Sequence, residues 1–239
     1  MHVHLPKPLH GWREFVGEVG IIVLGVLIAL GAEQAIEGIH DRQVAAQSRR
    51  DVRDEVATDL GFYEERLKES PCIASRLAKL SEVVDQGAMP KDTINWIGRP
   101  GDLAPFTERW RAVTSSARTA MFPAVEQSRF DAVYGIFESL SEESRTEQKA
   151  WTDIAIMARL RGPIDPVTRL TLLRALEQAR RSDAIIRLAS YYALFHAKAL
   201  GIRSNPETSP RPNDLISICL PLTTHPEQAE KLLQPRLPH

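Results

Sequence analysis

The chain is poor in most of the residues and patterns that carry chemistry. Only two cysteines occur in 239 residues, Cys72 and Cys219, and neither stands in a CxxC pair. That excludes a thiolate zinc site and thioredoxin-like redox chemistry. Aromatic residues make up 6% of the chain, and alternating β-branched runs are nearly absent, so sheets are not expected. There is no Gly-rich phosphate loop, no HExxH, no nucleophile elbow and no zinc-ligand cluster. Neither sign of charge dominates: 30 basic residues are mixed with 31 acidic ones for a net charge of −1. A nucleic-acid-binding stripe is therefore excluded, and so is an acidic tail for a basic partner.

What remains offers no set of catalytic, cofactor-binding or metal-ligating residues, and the expectation is a protein without enzymatic activity. His2, His4 and His10 are the nearest approach to a metal site and read as idle side chains. Carboxylates cluster at Asp51, Asp54, Glu55 and Asp59, and again at Glu138, Glu142 and Glu143. They lack the pair of Glu-x-x-His repeats a helical di-metal site uses, and they read as solvated helix faces. The helical aromatics Trp110, Trp151, Tyr134, Phe137, Tyr191, Tyr192 and Phe195 read as core, with Tyr192, Phe195 and His196 an alternative lining for a small pocket.

Against this background one segment stands out. Val19–Ala32 is fourteen residues without a charge, nine of them Ile, Val or Leu. On an insertion scale those nine favour a bilayer by about 3–5 kcal/mol. Fourteen helical residues cover about 21 Å, short of a hydrocarbon core of about 30 Å, whereas extension to Phe15 and Ile36 gives about 33 Å. Glu18 and Glu33 then fall within a turn of the ends, where a carboxylate reaches the headgroups, and Trp12 takes an interfacial place. The reading is a single transmembrane anchor at 15–36 after a short tail at 1–14. A buried core helix and a cleaved signal ending near Ala29-Leu30-Gly31 are the competing readings. Glu18, Gly25, Ala29 and Ala32 share one helix face with small-xxx-small spacing, which suits a helix–helix contact in the membrane, a lipid-facing monomer being the alternative.

Lys7 and Arg13 precede the anchor, whereas Arg42, Arg49 and Arg50 follow it at a greater distance. Counting basic residues near the span places the N-terminus inside and the large domain outside the cytoplasm. Cys72 and Cys219 suit that side. Bridged, they would constrain the unfolded chain by about 4–5 kcal/mol; two separate small hydrophobes are the alternative.

The remainder reads as one helical domain at 37–202, followed by a Pro-rich, largely irregular tail at 203–239 that holds seven of the sixteen prolines. Val52, Val56, Leu60, Tyr63 and Leu67 form an apolar stripe on a long first helix, with Arg49, Arg50, Asp54, Glu64 and Arg66 mostly on other faces. Pro71 is expected to end that helix. A second helix is expected over 72–86, with Ile73, Leu77, Leu80 and Val84 inward and Gly87 terminating it. A loop covers 88–105 with a helical turn at Asn95–Ile97. Further helices are expected at 106–120, 124–140 and 140–161, the last opened by a Ser139/Glu142 capping box. Asp165-Pro166 opens a long helix to Leu200, with Gly201 following it. In the tail, Leu215–Leu222 reads as an apolar patch docking on the domain, and 226–233 as a short helix. The fold class is all-α: an anchor, then an elongated bundle built on two long helices.

The stretch WREFVGEVGIIVLGVLIALGAEQ, Trp12 to Gln34, resembles the opening of uncharacterised single-span bacterial membrane proteins, which begin with a similar G-E-x-x-I-x-x-G-x-L-I-A-L segment. Their helical soluble part carries a W-x-x-x-x-x-[ST]-G-A-like segment. Here the nearest match is Trp110 to Ala120, which departs from it at Ser116-Ala117. The resemblance implies a membrane location and helical fold, and no activity. The sequence thus points to an inner-membrane, single-pass protein with its bulk in the periplasm. Its partners would be the lipid bilayer and a second copy or another envelope protein, with no nucleic acid and no cofactor. A ligand-sensing helical module acting through a partner protein is the alternative.

Overall fold

The computed structural model describes residues 11–90, 94–116, 118–205 and 217–233. His2, His4 and His10, most of the 1–14 tail, Ala117 and the Leu215 end of the apolar patch lie outside the described residues. Among the described residues the fold is all-α, in five helices: α1 (Trp12–Gln86), α2 (Glu108–Ser115), α3 (Ala124–Ile154), α4 (Pro166–Ala199) and α5 (Pro226–Leu233). Two 3-10 turns, Arg118–Met121 and Ala155–Ala158, follow α2 and α3. An isolated backbone bridge joins Ala88 to Pro163. The chain divides into two compact units, Met1–Ser48 and Arg49–His239.

The first unit is the N-terminal part of α1. Its most apolar 18-residue window has a mean hydropathy of 2.4 and none of it is buried. Ile21, Ile22, Leu24, Leu27 and Ile28 are all exposed, so the segment is apolar on every side. It is long and apolar enough to cross a membrane.

The second unit is built on three stripes. On α1 one line of buried positions runs through Val52, Val56, Asp59, Tyr63, Arg66, Ser70, Ile73, Leu77, Leu80 and Val84, with Glu55, Leu60, Glu69 and Arg76 buried beside it. Spacing along the line alternates between three and four residues without a slip, which is the heptad pattern of packed helices. On α3 the same alternation runs through Phe130, Val133, Phe137, Leu140, Ser144, Glu147, Trp151 and Ile154. On α4 it runs through Leu172, Leu176, Ala179, Asp183, Ile186, Ser190, Ala193 and Ala197. α3 and α4 turn one continuous edge inward over most of their length, and α1 does so from Val52 to Val84. Two apolar clusters result, one around Tyr63, Trp110 and Phe137, the other around Leu80, Trp151 and Leu176.

These stripes explain where local signals fail. Pro71 does not end the first helix; α1 runs through it to Gln86. Proline removes one N–H and crowds the preceding turn, but Pro71 is exposed, and the stripe keeps its register from Ser70 to Ile73. Breaking the helix there would throw Ile73, Leu77, Leu80 and Val84 off the core, at about 1.5–3 kcal/mol each, against about 3 kcal/mol for the proline. Similarly, the expected helices at 124–140 and 140–161 are one helix, α3. The Ser139 hydroxyl donates to the Gly135 carbonyl at 3.0 Å and caps nothing.

The helix expected over 106–120 shrinks to α2 because Ser115 and Ser116 turn their hydroxyls back on the Ala112 carbonyl. Asn95–Ile97 forms no helical turn. The N–H groups of Asn95 and Trp96 both donate to the Leu222 carbonyl, at 2.9 and 3.0 Å.

Other local signals hold. Asp165 accepts from the N–H groups of Val167 and Thr168 at 3.0 Å, capping α4 ahead of Pro166. Gly87 and Gly201 follow α1 and α4 with φ of 70° and 68°, a region open to glycine. The short helix at 226–233 is α5.

Because Pro71 is tolerated rather than required, Pro71→Ala is expected to raise the unfolding free energy of the protein in detergent by about 1–3 kcal/mol. Urea unfolding followed by far-UV circular dichroism reads this. A loss of stability would show that the proline shapes α1 in a way the stripe needs.

Candidate functional site

Between the two apolar clusters the stripes turn polar. Arg66 of α1, 1% exposed, donates through Nη2 to Glu147 Oε1 of α3 at 2.5 Å and to Asp183 Oδ1 of α4 at 3.1 Å. One guanidinium thus ties three helices together. The charges do not balance, since Glu69 is also buried and neither of its oxygens finds a donor among the described residues. Burial is the largest influence on all three carboxyls. It raises Glu69 to about 8 against the opposing pull of Arg66. It raises Glu147 to about 7 against Arg66, with the charge on Asp183 adding to the rise. Asp183 moves up as well, with Arg66 and Arg187 opposing. The indole N–H of Trp151 stands beside Glu147 outside hydrogen-bonding geometry.

The expectations that Glu55 and Asp59 lie on a solvated face and that Arg66 lies off the inward stripe are therefore wrong. Leu67, placed in the inward stripe from sequence, is only half-buried, because the three-four register selects Arg66 instead. Glu55 accepts from the Arg109 N–H with both oxygens, at 3.3 and 3.1 Å, and from the Tyr134 hydroxyl at 2.7 Å. It satisfies the first turn of α2, whose own Thr107 makes no side-chain cap. Asp59 accepts from the Phe106 N–H at 3.1 Å, and burial lifts it to about 8. These acids hold a neighbouring element in place. No substrate-facing acid–base pair emerges from them. Glu138 and Glu142 are exposed, as expected.

A second constellation surrounds Arg76. Its guanidinium donates to the carbonyls of Trp96, Ile218 and Leu220, the first two at 2.7 and 3.0 Å, and burial lowers it to about 10. Beside it Cys72 and Cys219 are joined in a disulfide. The Trp96 indole donates to the Ser217 carbonyl at 2.8 Å. Gly98 sits at φ 67°, where an added Cβ would stand 2.5 Å from that same oxygen. Only glycine fits so close an approach. Residues 94–99 and 217–222 are thereby clasped onto α1. Next to the clasp a cavity of about 410 Å³ is lined by Trp96, Arg99, Trp151, Thr152 and Ser217.

The third feature is a surface. Tyr191, Tyr192 and Phe195 do not fill the core. They stand exposed on α4 with His196 edge-on against Phe195 at 5.5 Å, which overturns their reading as core residues. Val167, Leu170, Leu173, Ile185 and Leu188 are exposed on the same helix. From sequence, Tyr191, Tyr192 and Phe195 read as core, and no second face is drawn on this helix. Spacings of three and four from Ile185 to Phe195 were the available signal. Trp110, Trp151, Tyr134 and Phe137 are core residues.

Of the membrane-face residues, Glu18, Gly25, Ala29 and Ala32 are exposed on α1, and a Cβ on Gly25 would meet nothing within 4 Å. No group of His, Cys, Asp or Glu among the described residues is arranged to hold a metal ion. No family model matches the chain, and no curated protein or solved structure matches it.

Two outcomes follow from the polar layer. Arg66→Ala leaves Glu147 and Asp183 buried without a counter-charge, and should cost about 3–5 kcal/mol of stability, while joint replacement of the three by Met and Leu should recover most of it. Carboxyls whose folded pKa is raised stabilise the fold fully below their unfolded values near 4, and that contribution is lost as pH rises through 7–8. The urea midpoint should fall between pH 5 and about 8.5, and Glu69→Gln should flatten the slope. A midpoint that climbs over that range would mean the layer is ionised and paired throughout.

Proposed function

We propose that the protein is a membrane-anchored interaction module. The N-terminal part of α1 is held in a bacterial inner membrane, and the helical unit from Arg49 onward works on the periplasmic side. The observation that carries the reading is the 18-residue window of α1, with a mean hydropathy of 2.4 and no burial within the fold. In water such a helix is costly to expose, whereas in lipid each of its faces is favourable. The disulfide supports the periplasmic side, since such bonds persist in oxidising compartments. The buried carboxylates serve as caps and inter-helix ties, which leaves contact with another macromolecule as the reading with most support. A face of Glu18, Gly25, Ala29 and Ala32 suited to close helix approach adds a place where two anchors would meet.

The cavity beside Trp96 and Trp151 favours a second reading, a ligand-sensing module that acts through a partner protein. It ranks second because the interior between α1, α3 and α4 is filled by side chains, and the cavity lies at the clasp rather than between the long helices.

After carbonate extraction of cells expressing the full chain, the protein should stay with the membrane pellet. Protease added to spheroplasts should then remove the unit beyond Arg49. Recovery in the aqueous fraction would overturn the anchor; full protection from protease would put the unit in the cytoplasm.

A further inference from the structure

The outer face of α4 carries more apolar surface than a finished helix shows. With the inner stripe from Leu172 to Ala197 already buried, the opposite side exposes Leu170, Ile185, Leu188, Tyr192 and Phe195. Val167 and Phe195, near the two ends of the helix, are 76% and 64% exposed. At 100° per residue these positions fall in one band along nearly the whole of α4. A helix apolar on two opposite faces is one that packs on both.

Charge says what packs there. Along one edge of the band run Arg169, Arg180, Arg187 and Lys198, and on its crest stand Arg174 and Arg181. The carboxylates of α4 are Glu177, paired with Arg180 at 3.5 Å, and Asp183, buried against Arg66. Arg174, Arg181 and Lys198 make no ion pair among the described residues.

A second copy of the chain fits this badly. Antiparallel pairing sets the basic edge against itself, and parallel pairing sets Arg174 on Arg174, Glu177 on Glu177 and Arg181 on Arg181. A lipid surface fits badly too, because the crest charges Arg174, Glu177 and Arg181 would enter the acyl region between the two apolar ends of the band. A helix bearing carboxylates opposite those arginines and along the basic edge satisfies both halves of the pattern.

We infer that the outer face of α4 is a docking groove for an acidic amphipathic helix of a different protein. It rests on the reading of the chain as an interaction module and names the chemistry of the partner. Ile185, Leu188, Tyr192 and Phe195 would bury against the apolar face of that helix, and Arg174, Arg181, Arg187 and Lys198 would pair with its acids.

The experiment uses the full chain in its native membranes, with photoreactive benzoylphenylalanine at Leu188 and, as a control, at Glu142 on the exposed side of α3. Irradiation should give a heavier product from position 188 and not from 142. Mass spectrometry of the adduct should place the crosslink on an apolar helix with acidic flanks. In the same background Arg174→Glu with Arg181→Glu should reduce the yield at least about tenfold, the equivalent of 1.4 kcal/mol. An unchanged melting profile of that variant shows that the fold is retained; if it shifts, Lys198→Glu alone, at an exposed side chain without an ion pair among the described residues, replaces it. A product at twice the mass of the chain, an adduct to a helix without acids, a yield indifferent to charge reversal, or no polypeptide adduct each overturns the proposal. If the carbonate fraction is still membrane-bound, only the groove is lost. If the protein is found in the aqueous fraction, the module reading itself fails.

Discussion

Arg66 is where the helical unit is most constrained. The two apolar clusters on either side of it can be assembled from many combinations of Leu, Val, Ile and Phe, since non-directional burial tolerates substitution. The layer between them tolerates no change of one member alone. A buried guanidinium must meet Glu147 and Asp183 together, so α1, α3 and α4 are fixed in rotation and in axial level by one side chain. Sliding any helix by a turn would leave charges unpaired in a low-dielectric interior, at several kcal/mol. In this unit the ion cluster sets register, and the apolar stripes supply the driving force.

The polar layer also accounts for details that look unrelated. α1 continues through Pro71 because the stripe that delivers Arg66 must also deliver Ile73 to Val84 to the second cluster. Glu55 and Asp59 sit on the same helix and face the chain after the 88–105 loop. Two otherwise costly carboxylates thereby become the caps of α2 and of the approach to it. The C-terminal segment is held at the other end of the unit by unlike means, a disulfide at Cys72 and the carbonyls of Ile218 and Leu220 on Arg76. A covalent bond and a charge-assisted set of hydrogen bonds act on the same short segment, so its position does not depend on apolar contact alone.

Much of this was legible residue by residue. The all-α class follows from the scarcity of β-branched alternation. The ends of α4 follow from Asp165-Pro166 and Gly201, and the apolar N-terminal helix from fourteen uncharged residues. The errors have a common cause. Pro71, Ser139 and the Asn95–Ile97 turn were judged from signals a few residues wide, whereas stripes of thirty residues and the Leu222 carbonyl decided them. Arg66, Glu55 and Asp59 were judged by residue type, and charged residues lie outside unless a partner brings them in. Those partners sit 47 to 117 residues away, too far for periodicity to reveal.

The sequence alone settled that this chain makes long helices and that one stretch near its start is uniformly apolar, because both are properties of local composition and period. Tertiary structure decided which charges go inside, whether a proline breaks a helix, and which face of α4 is left over. Those outcomes depend on what a side chain meets across the bundle, and only packing brings Arg66, Glu147 and Asp183 into one layer.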